Sequence, residues 1–547
     1  MLHTNAKNAK EFMMTRRNTF RCLSFAFAAV AVSLSVRASA PDLASRLERV
    51  NAVRDGTVTE FEVSFRSKAD PDGKDPLAMW RADAPETVVS TGAFVRVDFT
   101  LVPEAGSYIR CRADLPLPED WDGRLWGQGN SGRAGFVPSL KSYVSVGSAA
   151  VTTDLGTKKI CVDRKFDKSV AWPAGILRDF HWRATHLMTV YGKRIVEAFY
   201  GRPCDHAYFC GGSTGGRQAM SEAIRFPEDY EGIIALLPDN NAAVSEIAIW
   251  HLGKATHDAA GNALFTTNEM RVVADAAVEY CASTDPAPYA GFVVADGRFP
   301  EVDIDGFLAL AARKCPSLAA GDKLARLKSL YMPLVHDGKC YFNGFAPGTY
   351  HGVNMGWMSL LSLPHCLAAK GFVQSRWNEV GWDEIDLYLK EYSPEFNATS
   401  DDLSAFKARG GKLIMTTAWE DQTIPPAPIV DYFERVCRRD GGIENTDRYF
   451  RLFCLPGCAH GGGKGRGVTA CPCGVKGRSL LLDWCEKGKA PEAYGMWWEC
   501  KKLSVPVPPY PGLAVQDAAG KWSVRQMKRG VVPLDPCVLK TSKTVSK

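Results

Sequence analysis

The spacing of apolar and polar residues predicts strands for the first part of the folded chain. Residues 61–65 (Phe-Glu-Val-Ser-Phe) and 95–99 (Val-Arg-Val-Asp-Phe) both alternate apolar with polar positions, which is the period of half-buried β-strands. Clusters of glycine, proline and aspartate separate such runs between residues 57 and 117. We therefore expect the folded chain to begin with β-structure.

From residue 124 to residue 241, buried strands alternate with helices. Short continuous apolar runs predict strands that are buried on both faces, and longer stretches with apolar residues on one side predict helices. Strands and helices in alternation indicate a parallel sheet covered on both faces. The predicted elements are, in chain order, a strand at 149–154, a helix at 182–200, a strand at 207–209, a helix at 217–226 and a strand at 233–237.

This alternation stops after residue 241 and returns near residue 410. In between, short helices mix with loops rich in glycine, proline and aromatic residues. An interruption of about 160 residues has the size of a small domain. We therefore predict an α/β core in two parts, 41–241 and 401–547, split by an inserted lid domain at 242–400. The returning elements are a strand at 412–416, a helix at 429–438, a strand at 449–453 and a helix at 479–486.

The first forty residues do not fit this folded body. Arg16 and Arg17 precede an apolar run at 22–36, and the small residues Ala-Ser-Ala follow at 38–40. A charged flank, a short apolar stretch and a small-residue site are typical of a secretory signal, and about 15 apolar residues are few for a membrane span. We predict a signal peptide at 1–40, a secreted or periplasmic location and no membrane attachment.

Composition informs the compartment and the class of partner. The chain has 66 basic and 61 acidic residues, a net charge of +5 that is spread thinly, unlike the basic face of a nucleic-acid-binding protein. We expect no nucleic-acid partner. Its 17 cysteines suit an oxidising compartment and predict disulfides whose pairing the sequence does not give. A zinc site has poor support, because Cys471 and Cys473 are closer than the usual ligand spacing.

A candidate nucleophile lies between the predicted strand at 207–209 and the helix after it. Residues 211–215 read Gly-Gly-Ser-Thr-Gly and fit G-x-S-x-G, in which the serine occupies a strained turn and the glycines let strand and helix approach. We predict an α/β-hydrolase core with a large inserted lid domain and Ser213 as its nucleophile. The alternative is a glycine-rich turn that contains a serine by chance.

A serine nucleophile needs a base and an orienting carboxylate, which follow it in this fold in the order acid, then histidine. Of the six histidines after Ser213, only His460 lies beyond the return of the α/β pattern. It occupies a glycine-rich loop after a predicted strand, from which it can reach over the sheet. Asp421 follows the strand at 412–416 and is the predicted acid, with its neighbour Glu420 as the rival. The alternative for His460 is an ordinary surface-loop histidine.

The predicted oxyanion hole combines two loops. The amide after the nucleophile, that of Thr214, is one expected donor, and an early glycine-rich loop supplies the other in this fold. That loop is at 129–132, so the second donor is predicted to be Gly132 or Ser131. An ordinary glycine turn is the alternative.

Residues 210–218 (Cys-Gly-Gly-Ser-Thr-Gly-Gly-Arg-Gln) resemble the signature of the tannase and feruloyl esterase family, which includes bacterial hydrolases of mono(2-hydroxyethyl) terephthalate. The resemblance continues over nearly all of the mature chain. It implies hydrolysis of carboxylic esters, usually of phenolic or aromatic acids, beneath a lid. The other matching blocks are at 121–124, 225–234, 402–406, 410–414, 484–491 and 508–511.

The sequence departs from this family at a disulfide. Family members typically join a cysteine just before the serine to one just after the histidine, and those positions are Gly212 and Gly461 here. The nearby Cys210 and Cys458 could form a shifted bridge. The alternative is that each pairs elsewhere or stays a buried thiol.

The family's calcium site is the second departure. The resemblance places it in an acidic loop of the lid, at 281–289 here, where only Asp285 remains of three expected carboxylates. Calcium takes about six or more oxygen ligands, so we predict no calcium, no other metal and no cofactor. Residues 296–297 with Asp303 and Asp305 are an alternative acidic loop.

The predicted function is that of a secreted serine esterase acting on a small-molecule or polysaccharide-linked aromatic ester of the feruloyl, galloyl or terephthalate-monoester type. An amidase or peptidase of the same fold, or an inactive binding member, are the alternatives. The sequence leaves the acyl group and the oligomeric state open. It also leaves open whether four lid aromatics shape an acyl pocket or only fill the lid core, namely Tyr350, Trp357, Trp377 and Trp382.

Overall fold

A computed structural model describes most of the chain after the predicted signal peptide. The signal peptide, apart from residue 40, lies outside the described residues. Among those that are described, no helix is both long and apolar enough to cross a membrane. The described ranges are 40–67, 92–158, 172–284, 302–351, 378–391, 393–460, 477–498, 503–517, 519–526 and 529–540.

Fifteen strands lie within these ranges, and nine of them form the central sheet. The sheet has the order β1-β2-β3-β5-β4-β6-β7-β10-β11, and the other six strands form three hairpins. The strands are β1 Val58–Ser67, β2 Ala93–Leu101, β3 Ile109–Pro116, β4 Arg124–Gln128, β5 Ala149–Thr153, β6 His206–Gly212, β7 Gly232–Leu236, β8 Leu334–His336, β9 Lys339–Phe342, β10 Lys412–Ala418, β11 Phe450–Leu455, β12 Tyr494–Trp498, β13 Leu503–Val507, β14 Gly512–Gln516 and β15 Trp522–Gln526.

The strand directions confirm the predicted α/β class. The first strands, β1, β2, β3 and β5, pair antiparallel, whereas β5, β4, β6, β7, β10 and β11 run parallel. The parallel strands β5 and β7 are buried along their whole length, as continuous apolar runs require. All parallel strands end at one edge of the sheet, so the loops after β6, β10 and β11 meet there.

Helices cover this sheet and fill the chain between β7 and β10. A π-helical turn at Asp179–Arg183 leads directly into the helix Ala184–Tyr200, and single 3-10 turns lie at Pro316–Ala319 and Pro536–Leu539. The helices are α1 Ala40–Asn51, α2 Lys141–Val144, α3 Ala174–Arg178, α4 Ala184–Tyr200, α5 Thr214–Arg225, α6 Ala242–Thr256, α7 Thr267–Thr284, α8 Ile304–Lys314, α9 Lys323–Tyr331, α10 Trp382–Glu391, α11 Ser393–Phe396, α12 Ser404–Ala408, α13 Pro426–Asp440, α14 Ile443–Thr446 and α15 Gly477–Lys487.

Helix α5 begins at Thr214, three residues before its predicted start. The sequence Thr-Gly-Gly at 214–216 reads as a turn, because glycine disfavours helix interiors. A Cβ on Gly216 would lie 2.5 Å from the Cα of Pro238, and one on Gly215 would lie 2.6 Å from the carbonyl oxygen of Asn130. These glycines are therefore needed for the close approach of helix and loops rather than for a turn.

The segment between β7 and β10 leaves and rejoins the core at one place. It contains α6 to α12 and the β8–β9 hairpin. The amide of Ala398 donates to the carbonyl of Asn240 at 2.8 Å, so its two ends lie side by side. The C-terminal residues 529–540 also contact this segment, for example through the amide of Asp535 on the carbonyl of Cys340. The division into core and lid domains stays a prediction.

The predicted disulfide framework is not seen among the described cysteines. Eleven of them lie in the described residues, and no disulfide joins any two of these. Cys210 is buried in β6, whereas Cys458 lies beyond β11, with its Sγ 3.8 Å from the Sδ of Met496. Strands β7 and β10 lie between β6 and β11, so the speculative Cys210–Cys458 bridge gains no support. The remaining cysteines fall outside the described residues.

Candidate active site

Ser213 occupies a strained turn between β6 and α5. Its φ of 60° and ψ of −122° belong to a region that residues with side chains rarely adopt. Two backbone hydrogen bonds hold this conformation: the Ser213 amide donates to Leu236 O at 2.9 Å, and the Asp239 amide donates to Ser213 O at 3.1 Å. A Cβ on Gly211 would collide with the backbone of Gly215. The G-x-S-x-G motif is therefore a strand–turn–helix elbow, as its context predicted.

His460 lies between Ser213 and Asp421. Its Nε2 is 3.0 Å from Ser213 Oγ, and its Nδ1 is 2.7 Å from Asp421 Oδ2. Glu420, the rival acid, does not take this place. The other carboxylate oxygen of Asp421 accepts from the amides of Thr423 and Ile424 at 2.8 and 2.7 Å. The three predicted residues thus form one continuous hydrogen-bonded chain, and the Asp421 carboxylate cannot rotate without losing two backbone donors.

Hydrogen bonds join the loop that carries Asp421 to the loop that carries His460. The amide of His460 donates to Gln422 Oε1 at 3.1 Å. The amide of Glu420 donates to the carbonyl of Cys458 at 3.0 Å. Gln422 follows Asp421 directly, yet no motif marks it, and the sequence analysis missed it. These bonds fix the histidine loop without the disulfide that the resemblance implies. Gly212, beside Ser213, occupies one of the two cysteine positions of that disulfide, and Gly461, the other, lies outside the described residues.

The glycine-rich loop after β4 lies against the elbow. Thr214 Oγ1 donates to the carbonyl of Gly132 at 2.7 Å. The Ser131 amide donates to Asn130 Oδ1 at 2.8 Å, and the Asn130 amide donates to Gln218 Oε1 at 2.8 Å. The direction in which a Gly132 side chain would project is open space. The structure therefore brings together the three predicted oxyanion-hole residues, but it engages the Ser131 amide in a local hydrogen bond.

An ion pair between the buried Arg217 and the partly buried Asp239 lies next to the elbow and was also missed. Arg217 Nη1 is 3.3 Å from Asp239 Oδ2, and the Arg217 guanidinium lies over the ring of Phe180 at 4.6 Å. Burial raises the pKa of the Asp239 carboxyl, and the positive charge of Arg217 opposes this shift. Arg217 belongs to the signature at 210–218, which could have indicated it, whereas Asp239 follows β7 without a motif. The pair anchors the helix that starts at the elbow to the loop after β7.

The alternative acidic loop does not assemble in the described residues. Asp303 caps helix α8 by accepting from the Gly306 amide at 2.8 Å, and it also accepts from the Tyr280 hydroxyl. Asp305 pairs with Lys328. Asp285 and residues 296–297 lie outside the described residues. The predicted absence of calcium stays a prediction.

One of the four lid aromatics, Trp382, is partly buried and packs against the core. Trp382 stacks on His336 at 4.1 Å and meets Trp250 edge-on at 5.2 Å. These contacts favour a packing role for Trp382. Tyr350 is half-buried, and Trp357 and Trp377 lie outside the described residues.

Comparison with known families gives a match over most of the chain. A sequence model described as "Tannase and feruloyl esterase" matches residues 98–307 and 375–523. Feruloyl esterase B of Aspergillus niger is 28% identical over 409 residues, 70% of this chain and 75% of that protein. The mono(2-hydroxyethyl) terephthalate hydrolase of Piscinibacter sakaiensis is 24% identical over 490 residues, 74% of this chain and 79% of that protein.

Solved structures agree on the fold. Feruloyl esterase B from Aspergillus oryzae superimposes with a TM-score of 0.68 at 19% identity and covers 88% of this chain and 100% of its own. The tannin acyl hydrolase from Aspergillus niger gives 0.65 at 17% identity, over 91% and 96% of the two chains. At these identities the likeness concerns the fold alone.

Proposed function

Because the chain belongs to the tannase and feruloyl esterase family of ester hydrolases, we propose that Ser213, His460 and Asp421 are its catalytic triad and that it hydrolyses aromatic acid esters through an acyl-enzyme. The observation that carries the proposal is the hydrogen-bonded chain from Ser213 Oγ through both ring nitrogens of His460 to Asp421. A serine, histidine and aspartate in this geometry are the parts that nucleophilic acyl transfer requires.

The proton route follows from the hydrogen-bonding capacity of each group. An ionised carboxylate only accepts hydrogen bonds, so Nδ1 of His460 carries the proton that points to Asp421. Nε2 then presents a lone pair to Ser213 Oγ and takes its proton as the oxygen attacks the ester carbonyl. His460 returns this proton to the leaving alcohol, and water repeats the sequence on the acyl-enzyme.

The oxyanion donors in this proposal are the amides of Thr214 and Gly132. Backbone amides aimed at the developing charge stabilise the tetrahedral intermediate. Gly132 is preferred over Ser131, because the Ser131 amide already donates to Asn130 Oδ1. The bond from Thr214 Oγ1 to Gly132 O ties the two donor segments together.

An aromatic acyl group and export from the cell belong to the same proposal. Relatives are named as esterases of feruloyl groups and as a hydrolase of a terephthalate monoester, whose acids are all aromatic. The predicted signal at 1–40 supports a secreted or periplasmic enzyme. The amidase and the inactive binding protein remain the competing functions.

A fluorophosphonate probe should label Ser213 in the folded full-length protein. Such probes react with a serine whose proton is taken by an adjacent base, and mass spectrometry of the labelled peptide identifies the residue. The Ser213→Ala variant is the matched control and should stay unlabelled. An unlabelled Ser213 in folded protein would favour the inactive binding protein.

The acyl specificity is tested with matched methyl esters. We expect hydrolysis of at least one of methyl ferulate, methyl gallate and a terephthalate monoester in preference to methyl hexanoate. Ferulic acid amide distinguishes an amidase from an esterase. Faster cleavage of this amide than of methyl ferulate would contradict the proposed esterase activity.

Gln422→Leu should lower kcat by about 10-fold and change KM little. The variant removes the acceptor of the His460 amide, and small misplacements of catalytic groups cost rate rather than binding. Steady-state kinetics with an aromatic ester measures the effect. Gln422→Glu keeps an acceptor oxygen at this place and should recover most of the rate. Equal losses in both variants would argue against a positioning role.

A further inference from the structure

Away from the catalytic triad, a buried carboxylate faces a histidine and a second carboxylate. Glu222 on α5 is fully buried, and neither of its carboxylate oxygens has a hydrogen-bond partner among the described residues. His186 on α4 and Asp229, in the loop between α5 and β7, each place a ligand atom within 4.8 Å of a Glu222 oxygen and of each other. Three potential metal ligands therefore converge around a carboxyl group that is fully buried.

With both carboxyl groups ionised, the charges around this cluster would not balance. Burial, and next the negative charge of Asp229, raise the pKa of the Glu222 carboxyl well above its usual value. The cation nearby is Lys193, whose Nζ lies 3.7 Å from Asp229 Oδ1. Its side chain is 32% exposed, so it can turn towards solvent. Two carboxylates and one partly exposed lysine leave a negative site that either a proton or a metal cation would neutralise.

We propose that His186, Glu222 and Asp229 bind a divalent transition-metal cation of the Zn²⁺ type. An imidazole nitrogen with two carboxylates suits zinc, whereas calcium and magnesium prefer oxygen ligands alone. The site is built in advance: the His186 ring stacks on Phe226 at 3.7 Å, and its Nδ1 points to Asp229 Oδ2 at 2.7 Å.

Binding requires a small rearrangement and the loss of a proton. Zinc–ligand bonds of about 2.0 Å in a tetrahedral site place ligand atoms about 3.3 Å apart, so His186 Nδ1 and Asp229 Oδ2 must separate by about 0.6 Å. His186 must carry its ring proton on Nε2 so that Nδ1 is free to bind the cation, and the proton of the Glu222 carboxyl leaves to solvent, which makes affinity fall at low pH. A water molecule would supply the fourth ligand.

The location indicates a structural rather than a catalytic ion. Glu222 is eight residues along α5 from Thr214, about 12 Å at the rise of an α-helix. The ion would join α4 to α5, the helix that begins at the nucleophile elbow. It would therefore stabilise the folded chain without contact to the ester, and the proposal does not depend on the proposed function.

The test compares metal content and thermal unfolding of the full chain. After dialysis against a chelator, wild-type protein exposed to ZnCl₂ and desalted should retain one equivalent of zinc. Its Tm should rise by about 3 °C when free Zn²⁺ is about 100-fold above the Kd. Glu222→Gln and His186→Gln should lose both the retained zinc and the rise in Tm.

The Glu222→Gln variant keeps the experiment interpretable. It replaces the buried carboxyl group by a neutral amide of the same size that can still donate to Asp229, so its metal-free Tm should equal or exceed that of the wild type. Substitution by Co²⁺ distinguishes the ligands, because cysteine thiolates elsewhere would add an intense near-ultraviolet charge-transfer band. Failure of the wild type to retain zinc, or equal retention by both variants, would overturn the site and leave a proton shared by Glu222 and Asp229.

Discussion

Ser213→Ala should lower kcat for an aromatic ester by about 10⁶-fold, with little change in KM. The variant removes the attacking oxygen but keeps the Cβ that the strained turn already accommodates at a φ of 60°, so the elbow and the oxyanion donors persist. Residual catalysis of about 10³-fold over water should remain from these donors and from binding. Steady-state kinetics and the Tm of the variant check both parts of this expectation.

Adding His460→Ala to the Ser213→Ala variant should cause no further loss of kcat. Groups that act as one unit are non-additive, because the base has no function once the nucleophile is gone. Multiplicative losses in the double variant would show that His460 acts separately from Ser213, which the 3.0 Å contact argues against.

The residues that carry the proposed chemistry were predictable because the chemistry restricts both residue type and place. A serine flanked by glycines between strand and helix has few alternatives, and the chain order of the fold left one histidine after the returning α/β pattern. Only the structure shows which of the two neighbouring carboxylates, Asp421 or Glu420, contacts His460. Both follow the same strand, and the choice depends on which carboxylate the loop turns towards His460.

The residues that hold this machinery in place could not be read from the sequence. Gln422 lies 38 residues before the amide it accepts from, and Asp239, in the loop after β7, meets Arg217 on helix α5. Such contacts depend on how separate loops end at one edge of the sheet, which neither periodicity nor spacing encodes. The resemblance suggested a shifted Cys210–Cys458 disulfide between the serine and histidine loops, whereas the described contacts of the histidine loop are hydrogen bonds to the Asp421 loop.

The strand pattern was predicted more closely than the helices for a related reason. Buried strands of a parallel sheet are continuous apolar runs, so β5 and β7 appear directly in the sequence. Helix α5 begins with Gly215 and Gly216, whose role is close packing against neighbouring backbone. Propensity alone assigns these glycines to a turn, and only the tertiary contact explains the helix.

Asp421→Asn should lower kcat by about 10⁴-fold through the wrong histidine tautomer. Asp421 Oδ1 accepts from the amides of Thr423 and Ile424, so the carbonyl oxygen of an asparagine must stay at that side. Its NH₂ group then faces His460 Nδ1 and donates to it. Nδ1 becomes an acceptor, Nε2 carries the proton, and no lone pair remains to take the proton of Ser213.

Glu420→Gln is the matched control for this loss, with an expected effect on kcat below about 3-fold. It makes the same change of carboxylate to amide one residue away, and it keeps the backbone amide that donates to Cys458 O. Because His460 Nδ1 contacts Asp421 at 2.7 Å and not Glu420, the tautomer should be unaffected. Comparable losses in the two variants would mean that the charge of the loop, rather than the orientation of His460 by Asp421, supports catalysis.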